Sequence, residues 1–254
     1  MLKNLEFHVL IMVYKNPKTT ESPYKHEHAE TQTGKGKLIK NIVFGVQDGA
    51  LTTLGVVAGI TGAVTDNSLI ILAGVVSLAA EAISMGAGEY ISSKSEVEVY
   101  KHEVELEKKE MERMPDIERQ EIVDIYKAKG FKGKLLNQIV RKITSDKKLW
   151  LDTMLREELG FPQKFEDPKK LGFQMLVASF IGGTIPIIPY LLLPVSTALF
   201  ISVMGTAVSL FIVGASKTIV TKGNWIKSGI EMMLVGMLVA LAGYSIGSIF
   251  GVYV

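Results

Sequence analysis

Two carboxylates and a thioether stand where a chain rarely keeps them. Asp48, Glu81 and Met85 fall inside long apolar runs, and the stretch AAEAISMGAGEY (79–90) holds two of the three. An acid inside a membrane span is costly, and such residues mark ion or substrate pathways. Asp48 lies ten residues past Leu38 and Glu81 twelve before Ser93. At ~1.5 Å per residue that puts them about 15 and 18 Å from the same membrane edge. Two adjacent spans thus bring carboxylates to nearly one depth, with Met85 one turn away. The pair can hold a divalent cation or exchange protons, and protons compete with metal for such oxygens. Lys40, Glu89 and Glu231 lie near span ends, where side chains snorkel or face headgroups.

A second set of acids lies outside the apolar runs. At 100° per residue, Glu96, Glu103, Glu107, Glu110 and Met114 fall on one helical stripe. Glu98, Glu105 and Glu112 fall opposite, interleaved with Lys101, Lys108 and Lys109 as a solvated, salt-bridged face. The first stripe has no such lysines and is flanked by Val99, Tyr100, Val104 and Leu106. Its like charges at i,i+3 and i,i+4 are destabilising on their own, so the row calls for a cation. On the next helix Glu118 and Glu121 share a side with Ile122 and Ile125. On the last helix of this region Leu151, Met154, Leu155 and Glu158 share a face. The expected arrangement gathers Glu107, Glu110, Glu118, Glu121, Met154 and Glu158. Oxygen ligands alone suit Mg²⁺, Ca²⁺ or Mn²⁺, whereas an added thioether shifts preference toward softer ions such as Fe²⁺.

The elements that position these residues follow from how charge is distributed. The chain has 254 residues, 48% hydrophobic and 21% charged, with mean hydropathy +0.28. Charge is dense from Lys94 to Lys170, yet Leu171 to Ser216 contains no Asp, Glu, Lys or Arg. This pattern describes a membrane protein with one sizeable polar insertion. A net charge of +2 leaves no electrostatic footprint for nucleic acid. Absence of cysteine excludes disulfides, thiolate metal sites and Cys nucleophiles. The histidines, His8, His26, His28 and His102, all lie outside the apolar spans.

The expected fold is an all-α membrane protein with five transmembrane helices, near 39–64, 68–93, 171–192, 195–216 and 228–252. A cytosolic helical domain is inserted between spans two and three. The divisions are a tail (1–37), spans one and two (38–93), the insertion (94–168) and spans three to five (169–254). The tail's apolar patch LEFHVLIMVY is too short to cross a core of ~30 Å and lacks a cleavage region. The tail reads as flexible or surface-lying, with His26-Glu27-His28 solvated rather than a metal site. Span two is expected to continue without a breaker from Ser68 to Met114. Further helices begin at Pro115, near Lys134, and at 146–160, the last ending at Gly160. Glycine and serine pairs four apart (Gly45/Gly49, Gly55/Gly59, Ser84/Gly88, and Gly243/Gly247/Gly251) suit close packing in a bundle or dimer. Lys35, Lys37 and Lys40, the insertion, and Lys217, Lys222 and Lys227 all fall on alternate loops. The positive-inside rule therefore puts the N-terminus in the cytosol and the C-terminus on the far side.

The pieces FGVQDGALTTLGVVAGITGA, AAEAISMGAGEYISSKSE, MPDIERQE, WLDTMLREELG and GGTIPIIPY together resemble the vacuolar iron transporter family over about 38–254. The resemblance implies a homodimer of five-span subunits exporting cytosolic Fe²⁺, often also Mn²⁺, in exchange for protons. It implies no enzyme activity and no permanent cofactor, with vacuolar location in a eukaryote and the plasma membrane in a prokaryote. By position, the family's pore residues fall on Asp48 and Met85, and its metal-domain ligands on Glu107, Glu110, Glu118, Glu121, Met154 and Glu158. This sequence departs from plant members at Leu155, where they carry a second methionine. It departs also at Ser77, where they carry a glutamate, and at Thr52-Thr53, where they carry a proline. Alternatives left by the residues themselves are a passive divalent-metal channel and a membrane scaffold with an acidic partner-binding domain. A membrane-bound di-iron oxidase would use Glu-x-x-His motifs, and the sequence has none.

Overall fold

A computed structural model of the chain describes residues 35–162 and 164–251; the tail readings for 1–34, including His26-Glu27-His28, lie outside them. The described residues form helices and turns with no strand. Helix α1 spans Lys35–Ala63 and α2 spans Asn67–Arg113. In the insertion, α3 is Pro115–Ala128, α4 is Gly133–Thr144, and α5 is Lys147–Thr153, continued by a π-helical turn over Met154–Glu158. Then come α6 (Pro168–Thr184), α7 (Ile188–Leu192), α8 (Val195–Ser216), α9 (Thr218–Thr221) and α10 (Trp225–Gly251).

The expected long second helix is present. Its 47 residues reach about 70 Å at ~1.5 Å each. The Asp66 carboxylate accepts from the Ser68 amide at 2.8 Å and caps its start. It stops where Pro115 opens α3, a position that needs no amide donor.

Four helices are long and apolar enough to cross a membrane: α1, α2, α8 and α10. The run expected as one span over 171–192 is divided instead. Helix α6 ends at Thr184 after 17 residues, residues 185–187 turn, and the short α7 follows. Pro186 and Pro189 carry no amide hydrogen for the helical ladder, which explains the break. Helix α6 still packs against both α1 and α2.

Helix α1 is the centre of the bundle, in contact with α2, α6, α8 and α10. Small residues allow this. A Cβ on Gly49 would lie 2.1 Å from the Ser179 carbonyl oxygen of α6, and one on Gly247 would lie 1.7 Å from the Gly59 carbonyl oxygen. By contrast Ser84 and Gly88 face outward, and a Cβ on Gly88 would meet nothing within 4 Å. Large apolar side chains such as Leu72, Ile83, Phe180, Phe200, Leu238 and Phe250 are exposed on the outside of the bundle. A surface that apolar is matched to lipid rather than to water.

The insertion has a core of its own, made by Ile122, Leu136, Val140, Ile143, Trp150 and Met154. Helix α4 supplies Leu136, Val140 and Ile143, at the i, i+4, i+7 spacing of one buried stripe. The return segment after the π turn is tied to α2 by aromatic contacts. The Tyr100 ring lies 5.3 Å from that of Phe161 and 5.0 Å from that of Phe165.

Candidate functional site

Asp48 on α1 and Glu81 on α2 meet inside the bundle, carboxyl to carboxyl, in a side-chain hydrogen bond. Such a bond needs a proton on one partner. The remaining contact is incomplete, because Glu81 Oε1 is buried with no hydrogen-bond partner among the described residues. No lysine or arginine among the described residues pairs with either acid. Met85 is half-buried one turn further along α2. Gly49, next to Asp48 on α1, lies against the backbone of α6, which seats this part of α1 in the bundle.

The acids of the insertion divide by face. Glu98 and Glu105 are exposed and paired with Lys94 at 3.6 Å and Lys108 at 2.9 Å, as a solvated side should be. Glu107 and Glu118 are 5% and 4% exposed and contact one another. Met154, 0% exposed, belongs to the same interior. Glu103, Glu110 and Glu121 are half-buried, whereas Glu96, Met114 and Glu158 are exposed.

Electrostatics show which acids share a field. Burial is the chief influence pushing the Glu118 carboxyl up to about 8, followed by its hydrogen bond to Glu107 and the charges of Glu107, Glu121 and Glu110. Burial likewise raises Glu107 to about 7, with Glu158, Glu110 and Glu121 adding repulsion, while the bond from Glu118 works the other way. A bond between two carboxyls needs a proton on one of them, so the pair shares a proton. Local desolvation and then the charges of Glu121, Glu118 and Glu110 raise Glu158 to about 7.

The arrangement is a touching pair with three acids nearby. No three Asp, Glu, His or Cys side chains among the described residues converge into a finished metal site. The pair is nonetheless under-satisfied, with Glu107 Oε1 and Glu118 Oε2 buried and unpartnered among the described residues. Buried polar atoms are normally hydrogen-bonded, so these oxygens have capacity for a ligand. Two such carboxylates, with the buried Met154 in the same helical insertion, offer the oxygen and thioether donor types that a divalent first-row cation takes. A cation bound there would replace the shared proton and neutralise the mutual repulsion.

The helix holding Met154 and Glu158 differs from its expected form. Instead of one α-helix over 146–160, the chain passes from α5 into a π turn, closed by the bond from the Leu159 amide to the Met154 carbonyl at 3.2 Å. Single π turns recur at functional sites because the extra residue re-aims the side chains around them. Gly160, with φ +71°, then ends the element.

Glu89 departs further from its sequence reading. It does not reach out to headgroups but turns toward α1. Its Oε1 accepts from Asn41 Nδ2 at 2.9 Å and from Ser93 Oγ at 3.0 Å. The signal was in the spacing: Asn41 precedes Asp48 by seven residues, and Glu89 follows Glu81 by eight.

Comparison with known proteins agrees with this geometry over most of the chain. A family model described as the VIT family matches residues 39–248. The chain is 33% identical over 222 residues to Vacuolar iron transporter 1 of Eucalyptus grandis, covering 86% of this chain and 88% of that one. It is 32% identical over 226 residues to Vacuolar iron transporter 1 of Arabidopsis thaliana, covering 87% and 90%. It is also 31% identical over 232 residues to the vacuolar iron transporter of Plasmodium falciparum, covering 87% and 85%.

Proposed function

This chain belongs to the VIT family, and we propose that it exports Fe²⁺, and also Mn²⁺, from the cytosol across a membrane in exchange for protons. The observation that carries the reading is the contact between Asp48 and Glu81, two acids on adjacent helices inside an apolar bundle with no basic partner. Neutral structural pairs need no carboxylates there, and a cation pathway does. The names of the relatives, all vacuolar iron transporters, supply the cargo.

In this reading Glu107, Glu110, Glu118, Glu121, Met154 and Glu158 collect the ion on the cytosolic side. The ion then reaches Asp48, Glu81 and Met85. Glu107 and Glu81 are on the same unbroken helix, about 39 Å apart along its axis at ~1.5 Å per residue. Protons arriving from the far side neutralise the two carboxylates and release the metal. Protonation and metal binding are alternatives at the same oxygens, which links the two flows. The chain is not an enzyme: no bond is made or broken in the cargo.

The topology that goes with this has five crossings, with α6 and α7 together making the third, and residues 94–168 as the cytosolic domain. Lys35, Lys37 and Lys40 at the start of α1, and Lys217, Lys222 and Lys227 around α9, put the N-terminus on the cytosolic side and the C-terminus on the other. A homodimer, with the second copy covering part of the exposed apolar surface, completes the assembly.

The test is metal uptake into vesicles holding the purified full chain, with and without a pH gradient and with internal pH recorded. Coupled uptake and proton movement in the wild type, both lost in Asp48→Ala, is the expected result. Uptake unaffected by Asp48→Ala overturns the pathway assignment. Uptake that ignores the gradient and moves no protons indicates a passive channel.

A further inference from the structure

We infer that Glu89 is a third cargo-coordinating carboxylate, placed on the cytosolic side of the Asp48–Glu81 pair and aimed by Asn41 and Ser93. The inference rests on the transport reading above and adds a residue to its path.

Helices α1 and α2 run antiparallel, and two polar contacts cross between them in one register. Asp48 meets Glu81, and Asn41 meets Glu89. The second contact is displaced toward the cytosol by seven residues on α1 and eight on α2, about 11–12 Å at ~1.5 Å per residue. Met85 lies midway between the two acids on α2. The acids and thioether therefore follow one another at intervals of about 6 Å along the helix axis. An ion crosses such a series in short hops, and several moderate sites let it leave more readily than one deep site.

The hydrogen bonds around Glu89 fall on one oxygen. Both Asn41 Nδ2 and Ser93 Oγ donate to Oε1, leaving Oε2 without a donor among the described residues. The two donors are fixed in place, since Asn41 is 4% exposed and Ser93 3% exposed. Two held donors on one carboxylate oxygen orient the other toward a ligand, which is how outer partners aim metal-binding acids. No described lysine or arginine neutralises the group; Lys94, next to Ser93, is turned to Glu98 at 3.6 Å. A carboxylate that served only to clasp α1 to α2 would not need its charge, because a glutamine could accept the same two bonds through its amide oxygen.

That difference makes the test. Glu89→Gln keeps an acceptor for Asn41 and Ser93 and removes the charge. In full-length protein in vesicles, with Mn²⁺ as the transported probe, it is expected to raise KM at least about tenfold, the usual scale for a weakened metal site. Its melting temperature in detergent, and the affinity of the cytosolic cluster measured by calorimetry, should stay at the wild-type values. Ser93→Ala, which removes one aiming donor, should raise KM by about tenfold and serves as the test if Glu89→Gln does not fold. Glu89→Asp should recover part of the loss. Wild-type KM in Glu89→Gln, or in Ser93→Ala where that stands in for it, overturns the inference and leaves the transport reading in place. Absence of uptake by the wild type overturns both.

Discussion

Glu107 and Glu118 meet carboxyl to carboxyl in the interior of the insertion and share a proton, while Glu107 Oε1 and Glu118 Oε2 find no hydrogen-bond partner among the described residues. Both carboxyls stand above their ordinary 4.5, with values of about 8 and about 7. Between those limits the folded protein holds protons that the unfolded chain has lost. The stabilising contribution is complete below the unfolded value and disappears as pH rises through the folded values. Metal-free protein should therefore melt several degrees lower at pH 8.5 than at pH 5.5, read by a thermal scan in detergent. Saturating Mn²⁺ should remove most of that decline. A flat profile without metal would contradict the shared-proton arrangement.

Glu118→Gln separates binding from folding. The amide can donate to Glu107 as a protonated carboxyl could, and it introduces no charge when pH rises. The variant should keep or gain stability at pH 8, because replacing one member of a repelling buried pair removes the repulsion. Its affinity for Mn²⁺ should fall at least about tenfold, since one oxygen donor and one negative charge are lost. Calorimetry and melting on the same preparation check both halves.

Met154→Leu tests the thioether. The swap conserves volume at a site with 0% exposure, so stability should change by less than ~1.5 kcal/mol. Selectivity is where the effect is expected. Without sulfur the cluster is all oxygen, and its preference for Fe²⁺ over Mn²⁺ should shrink. Competition binding under anaerobic conditions measures the ratio, and an unchanged ratio would remove Met154 from the ligand set.

Gly49→Ala tests the packing that brings α1 to its partners. Its Cβ would lie 2.1 Å from the Ser179 carbonyl oxygen, and backbone cannot yield cheaply. The expected cost is at least ~1–3 kcal/mol, together with reduced uptake as the adjoining Asp48 shifts. Gly205→Ala is the control: nothing lies within 4 Å of the added methyl, and alanine favours the helix by ~0.5–1 kcal/mol. Melting temperatures should move in opposite directions.

Much of this architecture was readable in the residues because it depends on period and on breakers. The helical stripe placed Glu107 and Glu110 apart from lysine-paired Glu105, and the structure buries Glu107 while leaving Glu105 in water. Pro115 marked the end of α2 to within a residue. What escaped was local backbone choice and side-chain direction. Pro186 and Pro189 sit in a run apolar enough to read as one span, and hydropathy is blind to their missing amide hydrogens. The π turn at Met154–Glu158 has no compositional mark; its first residue, Met154, shares a buried cluster with Ile122 and Trp150 that local sequence does not reveal. Glu89 near a span end has two possible directions, toward water or toward α1, and only the positions of Asn41 and Ser93 decide between them.

The unbroken course of α2 has a mechanical meaning. A rod with no joint between Glu107 and Glu81 carries any roll or tilt at its insertion end to the Asp48–Glu81 pair. On the proposed function, loading the insertion's acids and rearranging those in the bundle would be two readings of one rigid-body motion. A flexible residue inserted near Ser95 would act as a clutch, leaving metal capture intact while disengaging it from passage.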